Sequence, residues 1–183
     1  RRHGALSECE FFVDVDDAHF DDYLYLDTGL RSAHQGYVPD GTMYLGSMHG
    51  RRSTTVYDKG KQLAEEKGIT LGCHRLRLEG KVRGSAHRLK NIVNVPNPFA
   101  TLHVIDRSAI AAATTPAAVA FRKHVDWGMS AQMAYRVLSK ADQQALAEVL
   151  LQTRPAWWGP TKAWMAVLES LGWIDTLSSA GIT

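Results

Sequence analysis

The chain has 183 residues, of which 45% are hydrophobic and 22% are charged, and its formal net charge is +2. This composition is typical of a folded globular protein and excludes a fibrous repeat, and a chain of this length can bury a core without disulfides or metals. The sequence has no membrane-length apolar run and only Cys9 and Cys73 as thiols. We therefore expect a soluble, cytoplasmic protein with reduced cysteines and without a membrane span or signal peptide.

The first predicted strand covers residues 11–16, which are rich in aromatic and β-branched side chains. Side chains alternate between the two faces of a strand, so Phe12, Asp14 and Asp16 should share one face and three apolar residues the other. The first strand is therefore expected to have an acidic face.

A hairpin follows, with strands at residues 41–46 and 53–59 connected through residues 47–52. Residues 61–67 predict a short helix that ends at Gly68, because glycine readily adopts the left-handed conformation of a helix C-cap.

A further strand is predicted over residues 73–83, where charged and apolar side chains alternate cleanly. This strand should be half-buried, with one face open to solvent. The charged face carries Arg75, Arg77, Glu79, Lys81 and Arg83, and the opposite face carries His74, Leu76, Leu78 and Val82.

Two prolines within residues 94–98 interrupt regular structure and mark the best candidate for a domain boundary. We therefore predict a sheet-containing domain at residues 1–93 and a helical region at residues 99–183. The chain begins at Arg1 rather than at methionine, so we also expect the first domain to lack an N-terminal segment.

Helical spacing of alanine and leucine predicts four helices in the C-terminal region. Their expected N-caps are Ser130, Ser139 and Thr161. The tryptophans there should pack a helical core, with stacking on unpaired bases as the alternative. Strands followed by helices indicate an α+β fold, with an antiparallel sheet of about five strands and flanking helices. The predicted helices are residues 116–124, 130–138, 140–152 and 161–171.

Charge is divided unevenly along the chain. Between Glu8 and Asp27 there are eight carboxylates and no lysine or arginine, whereas between Arg51 and Lys90 eleven cations accompany four carboxylates, a local net charge of +7. A basic block of this kind suits phosphate binding, because cations placed on nucleic-acid phosphates release counterions. A solvated strand face is the alternative.

Three segments, TMYLGS at residues 42–47, VYDKG at 56–60 and RLRLE at 75–79, together resemble the core of the replication initiation factor family. The family comprises rolling-circle Rep proteins and related nickases of plasmids, filamentous phages and integrative elements. The resemblance covers about the middle third of the chain. It implies a metal-dependent DNA nickase in which a tyrosine becomes linked to the 5′ phosphate and leaves a 3′ hydroxyl. It also implies origin DNA, single-stranded or hairpin, as substrate, with a helicase and a second copy of the chain as candidate partners.

By this resemblance Tyr57 is the catalytic nucleophile. A tyrosine with a pKa near ~10 attacks poorly at neutral pH, so it needs a nearby cation, and Lys59 on the same strand face is the candidate. Divalent Mg²⁺ or Mn²⁺ prefers carboxylate oxygen, so Glu79, Asp14 and Asp16 are the candidate metal ligands. Phosphate contacts are expected from Arg51, Arg52, Arg75, Arg77, Lys81 and Arg83.

Two positions depart from the family pattern. Thr55 stands where a basic residue is usual, and Lys61 and Gln62 stand where a glutamate is usual. Catalysis would then be slow or lost. The alternative is a non-catalytic nucleic-acid-binding or protein-interaction module on a Rep-like scaffold, in which Tyr57 is an ordinary strand tyrosine and Glu79 only neutralises a neighbouring cation.

Overall fold

A computed structural model of the chain describes residues 6–30, 35–38, 41–47, 49–87 and 95–171. It has the α+β architecture expected from the sequence. The strands are β1 (Leu6–Asp16), β2 (Tyr23–Asp27), β3 (Gln35–Val38), β4 (Thr42–Leu45), β5 (Arg52–Asp58), β6 (Arg75–His87) and β7 (Leu102–Asp106). The helices are α1 (Lys59–Lys67), α2 (Arg107–Ala112), α3 (Pro116–Asp126), α4 (Ala131–Val137), α5 (Lys140–Gln152) and α6 (Pro160–Ser170).

Five strands form an antiparallel sheet in the order β1-β6-β5-β4-β3. The predicted alternation on β1 and β6 is confirmed, because Phe11, Leu76 and Leu78 are buried in the core while Asp14 and Arg77 pair on the other face. We call that second face, which carries the charged side chains, the polar face. The predicted hairpin is also confirmed, as β4 and β5 pair antiparallel.

Helix α1 begins directly where β5 ends. The Asp58 carboxylate accepts a hydrogen bond from the Lys61 backbone N–H at 2.9 Å and so caps the helix. Lys59 is therefore the first residue of α1, whereas the sequence pattern predicted it as the last residue of the strand. The predicted C-cap is confirmed, since Gly68 adopts φ 66°.

A second sheet, formed by β2 and β7, was not predicted. Its strands are apolar on both faces, because Tyr25 packs into the core beneath the five-stranded sheet while Leu26 packs among the helices. Strand β7 lies within the region predicted to be helical, and Phe99 shares a core with Phe11 of β1. The described parts on the two sides of the predicted boundary therefore share one apolar core.

The predicted helices of the C-terminal region are all present, and α5 has the predicted bounds. Ser130 and Ser139 cap α4 and α5 as expected. The prediction for Thr161 was wrong: Gly159 is the N-cap, without a side-chain hydrogen bond, and Pro160 opens α6 because its missing N–H costs nothing there. The short helix α2 was missed.

The tryptophans that the structure buries support core packing. Trp158 and Trp164 are 3% and 8% exposed, and the Trp158 indole N–H donates to the Leu102 carbonyl at 3.2 Å. Trp173 lies outside the described residues. Among the helices of the described ranges, none is both long and apolar enough to cross a membrane.

Candidate functional site

Tyr57 and Glu79 meet on the polar face of the five-stranded sheet, on the adjacent strands β5 and β6. The Tyr57 hydroxyl donates a hydrogen bond to Glu79 Oε1 at 2.5 Å. Tyr57 is only 9% exposed, and the Glu79 side chain is 18% exposed. Strand alternation predicts this arrangement, because it puts Tyr57 with Lys59 and Glu79 with Arg77 on polar faces, and the structure confirms that Tyr57 and Glu79 share one face of neighbouring strands.

The environment changes the acidity of both groups. Burial raises the pKa of Tyr57 above its ordinary value, and the adjacent Glu79 carboxylate raises it further. Burial also raises the pKa of Glu79, and the carboxylate of Glu10 on β1 contributes to that rise. The phenol is thus neutral near pH 7, while Glu79 is a stronger base than a solvated glutamate. Glu79 is therefore positioned to accept the Tyr57 proton, while the raised pKa of Tyr57 opposes release of that proton.

Two cations flank this pair. Lys59 Nζ lies 5.7 Å from the centroid of the Tyr57 ring and donates to Gln62 Oε1 at 2.7 Å. Arg77 Nη1 lies 4.0 Å from Glu79 Oε1. Lys59 therefore sits beside Tyr57 as expected, although the start of α1, rather than the strand, places it there.

The pair opens onto a cleft of about 340 Å³ between the polar face and helix α1. Among the described residues, its lining carboxylates are Asp58, Glu65, Glu66 and Glu79, and Lys81 is the one lining cation. The local surface beside Tyr57 is consequently acidic. The four carboxylates of the block between Arg51 and Lys90 all line this cleft. The net positive charge of that block is therefore not found beside Tyr57.

The cations of β6 are paired with the carboxylates of β1. The two strands are antiparallel neighbours, so the carboxylates of β1 and the cations of β6 are cross-strand neighbours on the same polar face. A phosphate would have to compete with these carboxylates for each cation. The pairs are Arg75–Asp16 at 2.6 Å, Arg77–Asp14 at 2.6 Å, Lys81–Glu8 at 3.2 Å, Lys81–Glu10 at 3.0 Å, and Arg83–Glu8.

The structure does not bring Arg52 to the Tyr57 site. Its side chain turns to the core side of β5, where Nη2 donates to Asp27 Oδ1 at 2.7 Å and to Thr101 Oγ1 at 2.7 Å. Asp27 is fully buried, so Arg52 supplies its counter-charge. Arg51 is exposed in the turn before β5 and does not line the cleft.

Two of the three expected metal ligands, Asp14 and Asp16, are already paired with arginines. Asp14 holds Arg77 through two hydrogen bonds of 2.6 Å, and Asp16 holds Arg75. Within the part of the chain that the structure describes, no group of three histidine, cysteine, aspartate or glutamate side chains is arranged to hold a metal ion. Alternation puts these aspartates on the polar face, and the register of β1 with β6 sets them opposite arginines.

Sequence reasoning missed Glu10 and several residues that line the cleft. Glu10 belongs to the same alternation as Phe12 and Asp14, so extending the predicted strand toward the N-terminus would have found it. Tyr44 on β4 lines the cleft beside Tyr57, and Glu66 reaches it from α1. The contribution of Glu66 depends on how α1 docks, which a local pattern does not specify.

No protein-family model matches the chain, and no curated protein shows significant similarity to it.

Proposed function

We propose that this protein nicks and religates DNA at a replication origin, with Tyr57 as the nucleophile. The observation that carries the proposal is the hydrogen bond from Tyr57 to Glu79 in a cleft open to solvent. In addition, the three segments that resemble the replication initiation factor family contribute to three adjacent strands, β4, β5 and β6, around that cleft.

The chemistry follows from the positions of the two side chains. Tyr57 Oη attacks the phosphorus of a phosphodiester while its proton passes to Glu79. The bond from phosphorus to the 3′ oxygen breaks, and that oxygen takes up a proton from solvent to become a 3′ hydroxyl. The 5′ phosphate stays on Tyr57 as a phosphotyrosine. Religation is the reverse: the 3′ hydroxyl loses its proton to solvent as it attacks the phosphotyrosine, and Glu79 returns its proton to Tyr57.

Arg77 and Lys59, which flank Tyr57 and Glu79, and Lys81, which lines the cleft, are the cations nearest to a phosphate bound there, and they would offset its negative charge. All three already have partners: Arg77 binds Asp14, Lys59 donates to Gln62, and Lys81 contacts Glu8 and Glu10. Phosphate binding therefore requires these contacts to be shared or exchanged, which is a reason to expect slow turnover.

A second candidate function is a non-catalytic module for nucleic-acid or protein binding. The acidic lining of the cleft favours it, because four carboxylates beside Tyr57 repel a phosphodiester. In that case the bond from Tyr57 to Glu79 only satisfies a half-buried carboxylate.

The test is formation of a covalent adduct between the protein and DNA. A random-sequence pool of single-stranded and hairpin oligonucleotides, labelled at the 3′ end, is incubated with the protein in buffers with and without Mg²⁺ or Mn²⁺. The divalent cations are included because they screen the acidic cleft. Labelled protein on a denaturing gel indicates the 5′-phosphotyrosine adduct.

Tyr57→Phe removes only the attacking oxygen and should abolish the adduct. Tyr44→Phe is the matched control, because Tyr44 lines the same cleft from the neighbouring strand and should remain competent. If the wild-type protein forms no adduct under any of these conditions, or if Tyr57→Phe forms as much as the wild type, the nickase proposal is wrong.

A further inference from the structure

Strand β1 is an edge strand of the five-stranded sheet. It pairs with β6 on one side, and no strand of the described ranges pairs with its other side. A strand at an edge presents unpaired backbone N–H and C=O groups, and these can hydrogen-bond to another extended chain.

A groove of about 580 Å³ runs along this edge. One wall consists of residues 8–14 of β1, and the other consists of Ala166, Val167, Ser170 and Leu171 at the end of α6. Seven consecutive strand residues line it. Since alternate side chains point to opposite faces, a groove that touches all of them must follow the backbone edge of the strand.

The two sides of the groove differ in chemistry. Val167 and Leu171 of the α6 wall and Phe11 of β1 make its core side apolar. On the polar face, the Glu8 and Glu10 side chains remain 36% and 44% exposed, although both contact Lys81 and Glu8 also contacts Arg83. A strand that fits this edge therefore needs apolar side chains on one face and cations on the other.

The chain itself contains a strand with that pattern. Residues 75–83 of β6, RLRLEGKVR, pair with β1 so that a cation stands opposite each of Asp16, Asp14, Glu10 and Glu8. The side chains of β1 project from its faces and not from its edges, so the outer edge offers the same alternation to a second strand.

A second copy of the chain fits the edge poorly. Antiparallel pairing of β1 with itself about Phe11 sets Glu8 opposite Asp14, and directly opposed like charges destabilise a strand pair. A basic partner avoids this opposition, and its cations meet Glu8 and Glu10, which stay partly exposed beside their β6 cations.

We propose that the outer edge of β1 binds an extended segment of a partner protein in which lysine or arginine alternates with apolar residues. The segment adds a sixth strand to the sheet. Its backbone pairs with β1, its apolar side chains enter the groove beside α6, and its cations lie over the β1 carboxylates. This binding mode does not depend on any chemistry at Tyr57.

The probe is a capped peptide with the sequence of residues 75–83, RLRLEGKVR, added to the full chain. We expect saturable binding that weakens as salt is raised, together with slower hydrogen exchange at β1 amides but not at amides of α5. A charge-reversed peptide, ELELKGEVE, should bind at least about tenfold more weakly, because it opposes carboxylate to carboxylate.

Variants of α6 locate the site. Ala166→Arg and Ser170→Arg each place a large side chain in the groove, and each should weaken binding of the peptide by about tenfold or more. Both residues are exposed, so neither substitution disturbs the core. Met165→Arg is the matched control, because Met165 is an exposed neighbour that does not line the groove.

Three results would overturn the proposal. The first is the absence of peptide binding at low salt, or equal binding of the charge-reversed peptide. The second is binding that appears only after residues 172–183 are deleted, which would assign the groove to that segment. The third is a dimer in sedimentation that Ala166→Arg dissociates, which would assign the edge to a second copy.

Discussion

Gln132 of α4 and Asp27 of β2 exchange a reciprocal pair of hydrogen bonds across 105 residues of sequence. The Asp27 backbone N–H donates to Gln132 Oε1 at 3.0 Å, and Gln132 Nε2 donates to the Asp27 carbonyl at 3.0 Å. Both residues are buried. The Gln132 side-chain amide thus binds the Asp27 N–H and carbonyl in place of a neighbouring strand. This contact joins the small sheet to the helices.

Gln132→Ala should lower the free energy of unfolding by about 2–4 kcal/mol, because it leaves a buried N–H and a buried carbonyl without these partners. Urea denaturation measures this. Gln144→Ala is the control, since Gln144 is exposed on α5 and should change stability by less than about 0.5 kcal/mol. Equal stabilities of the two variants would contradict a structural role for the Gln132 amide.

Arg52→Ala should cost about 3–5 kcal/mol of unfolding free energy, because the fully buried Asp27 carboxylate loses its cation. The affinity of the folded variant for DNA should be unchanged. Arg51→Ala provides the comparison: Arg51 is exposed, so stability should hold while DNA affinity falls. Denaturation curves and filter binding separate the two effects, and a loss of DNA affinity confined to Arg52→Ala would reverse this assignment.

Glu79→Gln should slow adduct formation by about 10²-fold or more, because the amide cannot accept the phenol proton. In the wild type the rate should fall as pH falls through the pKa of Glu79, which is raised above its ordinary value, and this acid limb should vanish in the variant. Single-turnover rates of adduct formation across pH provide the measurement. A wild-type rate that is flat through this pH range would exclude Glu79 as the proton acceptor.

The same substitution should leave the protein as stable as the wild type, or more stable, at pH 7. A carboxyl group whose folded pKa is raised favours the folded state at low pH, and this stabilisation is lost as pH rises through the folded pKa. Neutral glutamine does not ionise, so the variant avoids this loss of stability at pH 7. Its side-chain oxygen can still accept the hydrogen bond from the Tyr57 hydroxyl. Thermal melting of the variant and the wild type at pH 5 and pH 7 tests this. The prediction is contradicted if Glu79→Gln lowers the melting temperature, relative to the wild type, more at pH 7 than at pH 5.

Asp16→Asn should increase the affinity for DNA, because it releases Arg75 from an ion pair at 2.6 Å. The slope of log affinity against log salt should become steeper by about one unit if the freed cation reaches one phosphate. Asp17→Asn removes the same charge at the next position and has no described arginine partner, so it should leave the slope unchanged. Identical slopes for both variants would mean that Arg75 does not contact DNA.

Local patterns in the sequence determined the α+β class, the faces of β1 and β6, the cap at Gly68 and the bounds of α5. Each depends on neighbouring residues, since alternation and capping are set by side chains within a few positions of one another. The sequence also predicted that Tyr57 and Glu79 share a face, because alternation puts each of them on the polar side of its strand.

Tertiary structure alone decided which charges meet. Arg77 is one of several similar cations in the sequence, and only the pairing of β1 with β6 sets it opposite Asp14. Arg52 resembles Arg51 locally, yet the core side of β5 buries its contact with Asp27. Strand β2 and strand β7 pair across more than seventy residues, as in Asp27 opposite Leu102, and no local period specifies such a partner. Long-range pairing is selected by the apolar area that the whole chain buries, and no single segment determines that total.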